Sequence, residues 1–460
     1  RGAQSLAALF AGLQQRGCRK LLVFCGERAE CEQWASLFRA GSPFGDRVFV
    51  HHASLDARVR REVEKNFALA SAAVCFATST LELGIDIGDV DLIALIGPPD
   101  SASGFLQRIG RGNRRTARTA VVCFYRNEME RALFRVFIRA ALAGELEPDD
   151  YFFRPSVIVQ QLCSYIKQTQ FGEIVPDAAY ELFASPTGDP LIAKSDYDRI
   201  VEHLVSKAYF VAADRHALRP GPQWQELYDE RAIYTNLTDS RRMVEVIDET
   251  TGRKLGEIGW GIKPGMVFLF SGRTLRALHL TGRKLLVRPS AEDADREAPR
   301  LRAPWRPLNH HLARAVAAEL GVPGADSPST IAMVRETEES GAEATEEKSD
   351  ETWVFHCAGE AYGLVLGDLL EARFKVRVQD CDKLYLSLQG APPAAALQFS
   401  AEQVRARVRS RWQQLESWYD LGRFQGQLPL DVRRQAVLAA FNVEEFLGAF
   451  SGREIAEVRA

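Results

Sequence analysis

Two runs of residues in this chain combine types and spacings that suit chemistry on phosphates. The first is Thr78-Ser79 through Gly84-Ile85-Asp86, and the second is Gln107-Arg108-Ile109-Gly110-Arg111-Gly112-Asn113-Arg114. A guanidinium keeps its charge at any working pH, and its planar fork matches phosphate oxygens. Arg111 and Arg114 are three apart, so a helical backbone puts both on one side, facing a polyphosphate. Thr78 and Ser79 offer hydroxyls to a nucleic-acid phosphate. Gly84 allows a tight backbone path, and Asp86 can accept from a ribose hydroxyl or hold an arginine in place. The competing reading of the basic run is a solvated helix face.

Each run follows a buried-strand pattern, Ala73 to Ala77 for the first and Val90 to Ile96 for the second. Ligands of open α/β sheets bind just past the carboxyl ends of strands. Further short apolar runs lie at Leu21–Cys25, Val48–Val50 and Ala120–Phe124, with helical stretches over Arg28–Phe38 and Asp56–Leu69. Residues 1–147 are therefore expected to form a parallel α/β sheet covered on both faces.

The two runs resemble known motifs. ATSTLELGID is similar to motif V of superfamily 2 helicases, and QRIGRGNR is similar to motif VI, Q-R-x-G-R-x-x-R. They occur in order, each after a strand. Leu21 to Arg28 resembles motif IV, and His51-His52-Ala53-Ser54-Leu55 resembles an HHGSL segment, with Ala53 where glycine is common. Residues 1–147 look like the second RecA-like domain of a helicase. The resemblance implies that Arg111 and Arg114 reach the γ-phosphate of ATP as arginine fingers. It puts Gly84 and Asp86 on the nucleotide side, with Gln107 and Arg108 coupling nucleotide and strand clefts. It puts His51, Ser54, Thr78 and Ser79 on the nucleic-acid side. Ordinary loop packing is the alternative for His51 and His52.

Half of such a site is missing from the 460 residues. No glycine is followed by lysine, so no G-x-x-x-x-G-K-[ST] loop cradles the β- and γ-phosphates. Asp229-Glu230 and Asp248-Glu249 lack the His or Asp that completes D-E-x-[HD]. The chain starts at Arg1, and the other RecA-like domain is expected to precede it, holding most of the Mg2+ that accompanies ATP. No metal ligands are expected in the chain itself.

Composition is globular, at 46% hydrophobic and 26% charged residues, and no apolar run is long enough to span a bilayer. With a net charge of −3, nucleic acid must be met by local basic surfaces. The eight cysteines form no C-x-x-C pair and several sit in strand patterns, Cys25 among them. They read as buried thiols in a reducing, cytoplasmic setting, not as a zinc site or a nucleophile.

Beyond residue 147 the pattern changes. Amphipathic helices over Val157–Ile166 and Tyr197–Leu204 precede a hairpin pattern with a turn at Ala213-Asp214, which suggests a winged helix over 148–232. Residues 233–460 read as a β-rich α+β domain. Its strands are expected at Met243–Ile247, Met266–Phe270, Leu275–Leu280 and Leu285–Val287, and its acidic stretch 335–351 reads as a disordered loop. A helix over Ala401–Trp418 carries Arg405, Arg407, Arg409 and Arg411 beside Trp412 and Trp418, either a strand-gripping groove or a solvated face. This order of modules resembles the Lhr (large helicase-related) family, as does GIKPGMVFLFSGRTLRALHL. Where that family often has W-x-G-E, this chain has Trp305-Arg306-Pro307-Leu308. The resemblance implies ATP-driven movement on single-stranded DNA and unwinding of duplexes or RNA–DNA hybrids. An RNA helicase and a nucleic-acid-binding module without hydrolysis are the alternatives.

The missing phosphate loop and water-activating acid lead to one expectation. The purified 460-residue chain does not turn over ATP, with or without single-stranded DNA. Stimulated hydrolysis above a buffer blank would refute the half-site.

Overall fold

The structure, a computed structural model, describes residues 11–12, 15, 17–41, 44, 47–82, 87–112, 119–145, 152–183, 188–236, 243–259, 262–281, 284–292, 307–335 and 351–458. The chain divides into two compact units. One comprises residues 1–147 with 240–305, the other 148–239 with 306–460.

In the first unit, strands β1 (Lys20–Cys25), β2 (Val48–His51), β3 (Ala73–Ala77), β4 (Leu92–Ile96) and β5 (Val121–Phe124) form one sheet, ordered β2-β3-β1-β4-β5. Every pairing in it is parallel. β1, β3 and β4 are buried along their whole length. Both of their faces are covered, which is why they read as unbroken apolar runs. Helices α1 (Arg28–Gly41), α2 (Ala57–Leu69), α3 (Ala102–Ile109) and α4 (Glu128–Ala143) follow β1, β2, β4 and β5. Side chains of Asp56, Ser101 and Asn127 cap α2, α3 and α4 by accepting backbone N–H bonds from Arg58, Gly104 and Glu130. At the amino end of the sheet, Asp91 Oδ2 accepts from the backbone N–H of Arg19 and Lys20, both at 2.8 Å. Lys20 Nζ donates to the carbonyls of Ala68 and Ile87, each at 3.0 Å.

The crossover from β3 to β4 steps over β1, so the turns that follow β3 and β4 flank the carboxyl end of the central strand. That topology brings the two phosphate-suited runs together.

A second sheet belongs to the same unit. Its strands, in spatial order, are Val267–Phe270, Arg273–Thr281, Lys284–Pro289, Met243–Asp248 and Lys254–Gly259. The sequence patterns give four of them. The fifth, KLGEIG, has a glycine in its interior that breaks the apolar rhythm. Gly256 is there because the chain runs against the Ser54-Leu55 turn. Glu257 N–H donates to the Ser54 carbonyl at 2.6 Å, and Asp56 N–H donates to the Leu255 carbonyl at 2.9 Å. A Cβ on Gly256 would lie 2.1 Å from the Ser54 oxygen. Leu55 in turn is buried in the core of this second sheet, with Val246, Phe268, Phe270 and Leu285. The stretch 233–460, expected as one domain, is thus shared between units: its strands within 240–305 join 1–147, and 306–460 joins 148–239.

In the second unit, helices Ser156–Gln168 and Lys194–Ser206 precede an antiparallel hairpin, Phe210–Ala212 with Leu218–Pro220, as the patterns anticipate for 148–232. Ile158, Leu162, Tyr197, Phe210 and Trp224 share a core with Phe424, Leu428 and Val432 from far along the chain. A third sheet, from strands within 330–457, packs on helices Gly359–Arg373, Ala401–Ser410, Leu430–Phe441 and Val443–Phe450. The helix expected over Ala401–Trp418 is two helices that meet at Arg411, which leaves helical geometry at φ −99 and ψ 10. Its guanidinium is held by Asp368 at 2.8 and 2.7 Å. Val404, Val408 and Leu415 are all buried on either side of the break, so periodicity does not reveal it. Arg405 pairs with Glu444 at 3.6 Å and Arg409 with Glu402 at 3.2 Å on an exposed surface. Residues 336–350 of the acidic stretch lie outside the described residues. No helix among the described residues is long and apolar enough to cross a membrane.

The close approach at Gly256 sets an expectation for stability. Gly256→Ala forces the strand off the Ser54 turn and costs about 1–3 kcal/mol, the usual penalty of overpacking. Gly448→Ala, with nothing within 4 Å of the new Cβ, does not. Urea unfolding of the two variants measures the contrast, and equal midpoints would contradict the seam.

Candidate functional site

At the carboxyl edge of the parallel sheet, β3 ends at Ala77 and turns through a single 3-10 turn, Ser79–Leu81. Thr78 is half-buried with its N–H donating to the His51 carbonyl at 3.2 Å, and Ser79 is exposed. Glu82 follows. β4 ends at Ile96, and α3 begins at Ala102 and carries Gln107 and Arg108. Gln107 is exposed, while Arg108 is only 9% exposed. Arg108 Nε donates to Glu82 Oε1 at 2.6 Å, and its guanidinium lies 5.5 Å from the centroid of the Phe24 ring on β1. A buried cation therefore crosses the end of the central strand and ties the turn after β3 to the helix after β4.

α3 ends at Ile109 and is closed by Gly110, so Arg111 lies in a turn beyond the helix. The helix thus ends before Arg111. Arg111 Nη2 donates to the Glu82 carbonyl, so both arginines of the run that are described converge on Glu82. Gly84, Asp86 and Arg114 lie outside the described residues.

The histidine segment is interior. His51 is 1% exposed; its Nδ1 is 2.8 Å from Thr80 Oγ1 and its Nε2 is 2.9 Å from Glu64 Oε1. Burial pulls its pKa below the ordinary imidazole value, against the opposing pull of Glu64. His52 Nε2 is 3.0 Å from Glu32 Oε1, and the other carboxylate oxygen of Glu32 accepts the Gly272 N–H from the second sheet. Ser54 is also buried, with its hydroxyl bonded to Arg28. The side chains of His51 and Ser54 thus face partners within the protein. Among the described candidates, Ser79 and Gln107 are exposed and Thr78 is half-buried. Five of the eight cysteines are buried, Cys25, Cys31, Cys75, Cys163 and Cys357, and burial holds Cys31 and Cys75 well above the usual thiol value.

Sequence reading missed Glu82, Glu64 and Glu32, the acids that hold Arg108, His51 and His52. Glu82 stands inside the TLELGID run, but nothing in its spacing marks it as a partner of a residue 26 positions away.

Known proteins fit this arrangement. Residues 4–116 match the model of the helicase conserved C-terminal domain, and a parallel sheet with two phosphate-suited turns at its carboxyl edge is consistent with that match. More narrowly, the chain is similar to Lhr proteins. It is 26% identical to the ATP-dependent helicase Lhr-Core of Saccharolobus solfataricus over 53% of this chain and 29% of that protein. It is 32% identical to the Lhr helicase/probable uracil glycosylase of Mycolicibacterium smegmatis, over 52% of this chain and 17% of that protein. The solved helicase Lhr of Mycobacterium smegmatis shares the fold with a TM-score of 0.62 at 17% identity, over 99% of this chain and 66% of that one. The chain spans about a third of the length of the Lhr-Core relatives first matched, between 29% and 36%. By sequence the chain is similar to Lhr helicases, and by fold it is similar to the solved Lhr structure.

The Glu82–Arg108 pair yields a test of the brace. Glu82→Leu leaves a buried guanidinium without its counter-charge and destabilises the chain by up to about 3–5 kcal/mol. Glu82→Leu with Arg108→Met restores much of that loss. Urea unfolding of the two singles and the double measures the coupling, and additive losses would rule the brace out.

Proposed function

We propose that this chain is the second half of an ATP-driven motor that moves along single-stranded DNA and separates duplexes or RNA–DNA hybrids. The observation that carries the reading is the Arg108–Glu82 brace, which holds two phosphate-suited turns side by side at one sheet edge. On this reading, ATP lies between this edge and a phosphate-cradling loop on a preceding RecA-like domain of the same protein. Arg111 and Arg114 reach the γ-phosphate and stabilise charge that builds as the phosphoryl group transfers. Gly84 and Asp86 line the nucleotide side. Gln107 and Arg108 link nucleotide to strand, with Arg108 acting from beneath through Glu82.

The described donor set here is guanidinium, hydroxyl and amide, with Glu82 engaged by Arg108. It suits phosphate oxygens. Mg2+ would be held by the other domain, where it neutralises phosphate charge.

Thr78 and Ser79 contact the strand backbone, and the exposed hydroxyl of Ser79 at the sheet edge supports that role. The helix–helix–hairpin order over 148–232 supports a winged helix that grips or splits the duplex. The Mycobacterium smegmatis Lhr was solved with single-stranded DNA and AMP-PNP, the ligand pair that this reading expects.

The test uses the protein in which this chain is joined to the phosphate-loop domain. Arg114→Ala lowers kcat by roughly a thousandfold or more, the scale of supplied arginine fingers. It leaves strand binding nearly intact, and Arg114→Lys restores little because an ammonium lacks the planar fork. Thr78→Ala behaves oppositely, weakening strand binding more than basal hydrolysis. Binding titrations at several salt concentrations accompany steady-state ATPase assays, and log affinity falls linearly with log salt. Near-normal kcat in Arg114→Ala, or salt-indifferent binding, would refute the motor reading.

A further inference from the structure

A cavity of about 210 Å³ in the second unit has His310 and Glu445 at its wall, with His311 beside them, and the motor reading uses none of the three. Helix His310–Leu320 opens with His310 and His311, and helix Val443–Phe450 carries Glu445 in its first turn. One ligand-capable atom from each of these three residues lies within 4.8 Å of the other two. His311 Nε2 is 2.9 Å from Glu445 Oε1. That contact is close but not aligned as a hydrogen bond. Both Glu445 Oε1 and His310 Nδ1 are shielded from solvent without a hydrogen-bond partner among the described residues. Orphaned buried polar atoms are uncommon and costly, and two of them on neighbouring side chains call for a shared occupant.

The carboxylate is held in place from behind. Glu445 Oε2 accepts from the Tyr362 hydroxyl at 3.2 Å and from Asn442 Nδ2 at 3.1 Å. Tyr362 also stacks on His310, with ring centroids 5.6 Å apart. Two imidazole nitrogens and one carboxylate oxygen, with the carboxylate oriented by outer hydrogen bonds, make the donor set of a zinc site with an open fourth position. His311 has 43% of its side chain exposed, which gives an ion a path in.

We propose that His310, His311 and Glu445 bind a divalent cation of the zinc class, with Tyr362 and Asn442 orienting the carboxylate. The amino ends of two helices and the neighbouring guanidiniums of Arg314 and Arg453 oppose a cation. Arg453 is drawn aside by the carbonyls of Ser327 and Thr330 at 2.9 and 2.6 Å. The affinity is therefore below that of a closed four-ligand site. The ligands come from positions 310, 311 and 445, so no local cysteine or histidine spacing announces them.

The test uses the full 460-residue chain, with Co2+ as a spectroscopic probe and Zn2+ in calorimetric titration. One ion binds per chain, with the visible bands of nitrogen- and oxygen-ligated tetrahedral cobalt, and Zn2+ displaces it. His311→Ala and Glu445→Gln each weaken binding at least about tenfold, and Tyr362→Phe weakens it less. Circular dichroism melts of His311→Ala match the parent, because that side chain is partly in solvent. The proposal fails if binding is absent or substoichiometric, if His311→Ala binds as the parent does, or if thiolate-to-cobalt bands dominate. It also fails if no metal binds and a purine nucleoside instead quenches tryptophan fluorescence in a manner lost with Glu445→Gln. The orphaned atoms would then serve a base.

Discussion

Arg108 crosses the carboxyl end of the central strand and puts its charge on Glu82, over the ring of Phe24. Little water reaches either group, with side-chain exposures of 11% and 14%. In such a site each charge depends on the other, since removing one leaves the second desolvated and unpaired. The pair therefore fixes more than its own position. It sets the spacing between the turn after β3 and the helix after β4, and Arg111 adds a second anchor on the same residue through the Glu82 carbonyl. Because β3 and β4 run parallel to β1 on its two sides, the turns that follow them lie at one edge with β1 between, and Arg108 spans that strand end.

The second constraint is the seam between the parallel sheet and the sheet of residues 243–289. Backbone bonds from Asp56 and Glu257, the burial of Leu55 and the missing Cβ of Gly256 lock the turn that follows β2. Glu32 then links His52 to Gly272 across the same seam. Together these contacts explain why the histidine segment is interior. The second sheet supplies the neighbours that desolvate it, and Glu32 and Glu64 supply the hydrogen bonds that buried imidazoles require. His51 also reaches Thr80 in the turn after β3, so the seam and the phosphate-suited edge share one network.

The parallel sheet was legible because its strands are buried on both faces and its helices carry ordinary caps. Both signals are local, and both are written in consecutive residues. The helices and hairpin of 156–220 were legible from their amphipathic spacing and turn residues, which are local as well. The grouping of 240–305 with the first sheet was not. It rests on an atypical strand, KLGEIG, whose glycine serves a contact made with residues some two hundred positions earlier. The helix break at Arg411 was hidden because the buried face continues across it, while Asp368, its anchor, lies on another element.

The sequence by itself determined the residue types at the sheet edge and their order after two strands, since strand burial and guanidinium chemistry do not depend on distant partners. It also shows that no G-x-x-x-x-G-K-[ST] stretch occurs in these 460 residues. Only the tertiary structure decided which candidates face solvent. Ser79 and Gln107 do, whereas His51, Ser54 and Arg108 point inward. The reason is that burial of a polar side chain depends on whether a partner across space can replace water. Those partners, Glu64 for His51, Arg28 for Ser54 and Glu82 for Arg108, sit on elements that only the folded topology brings near.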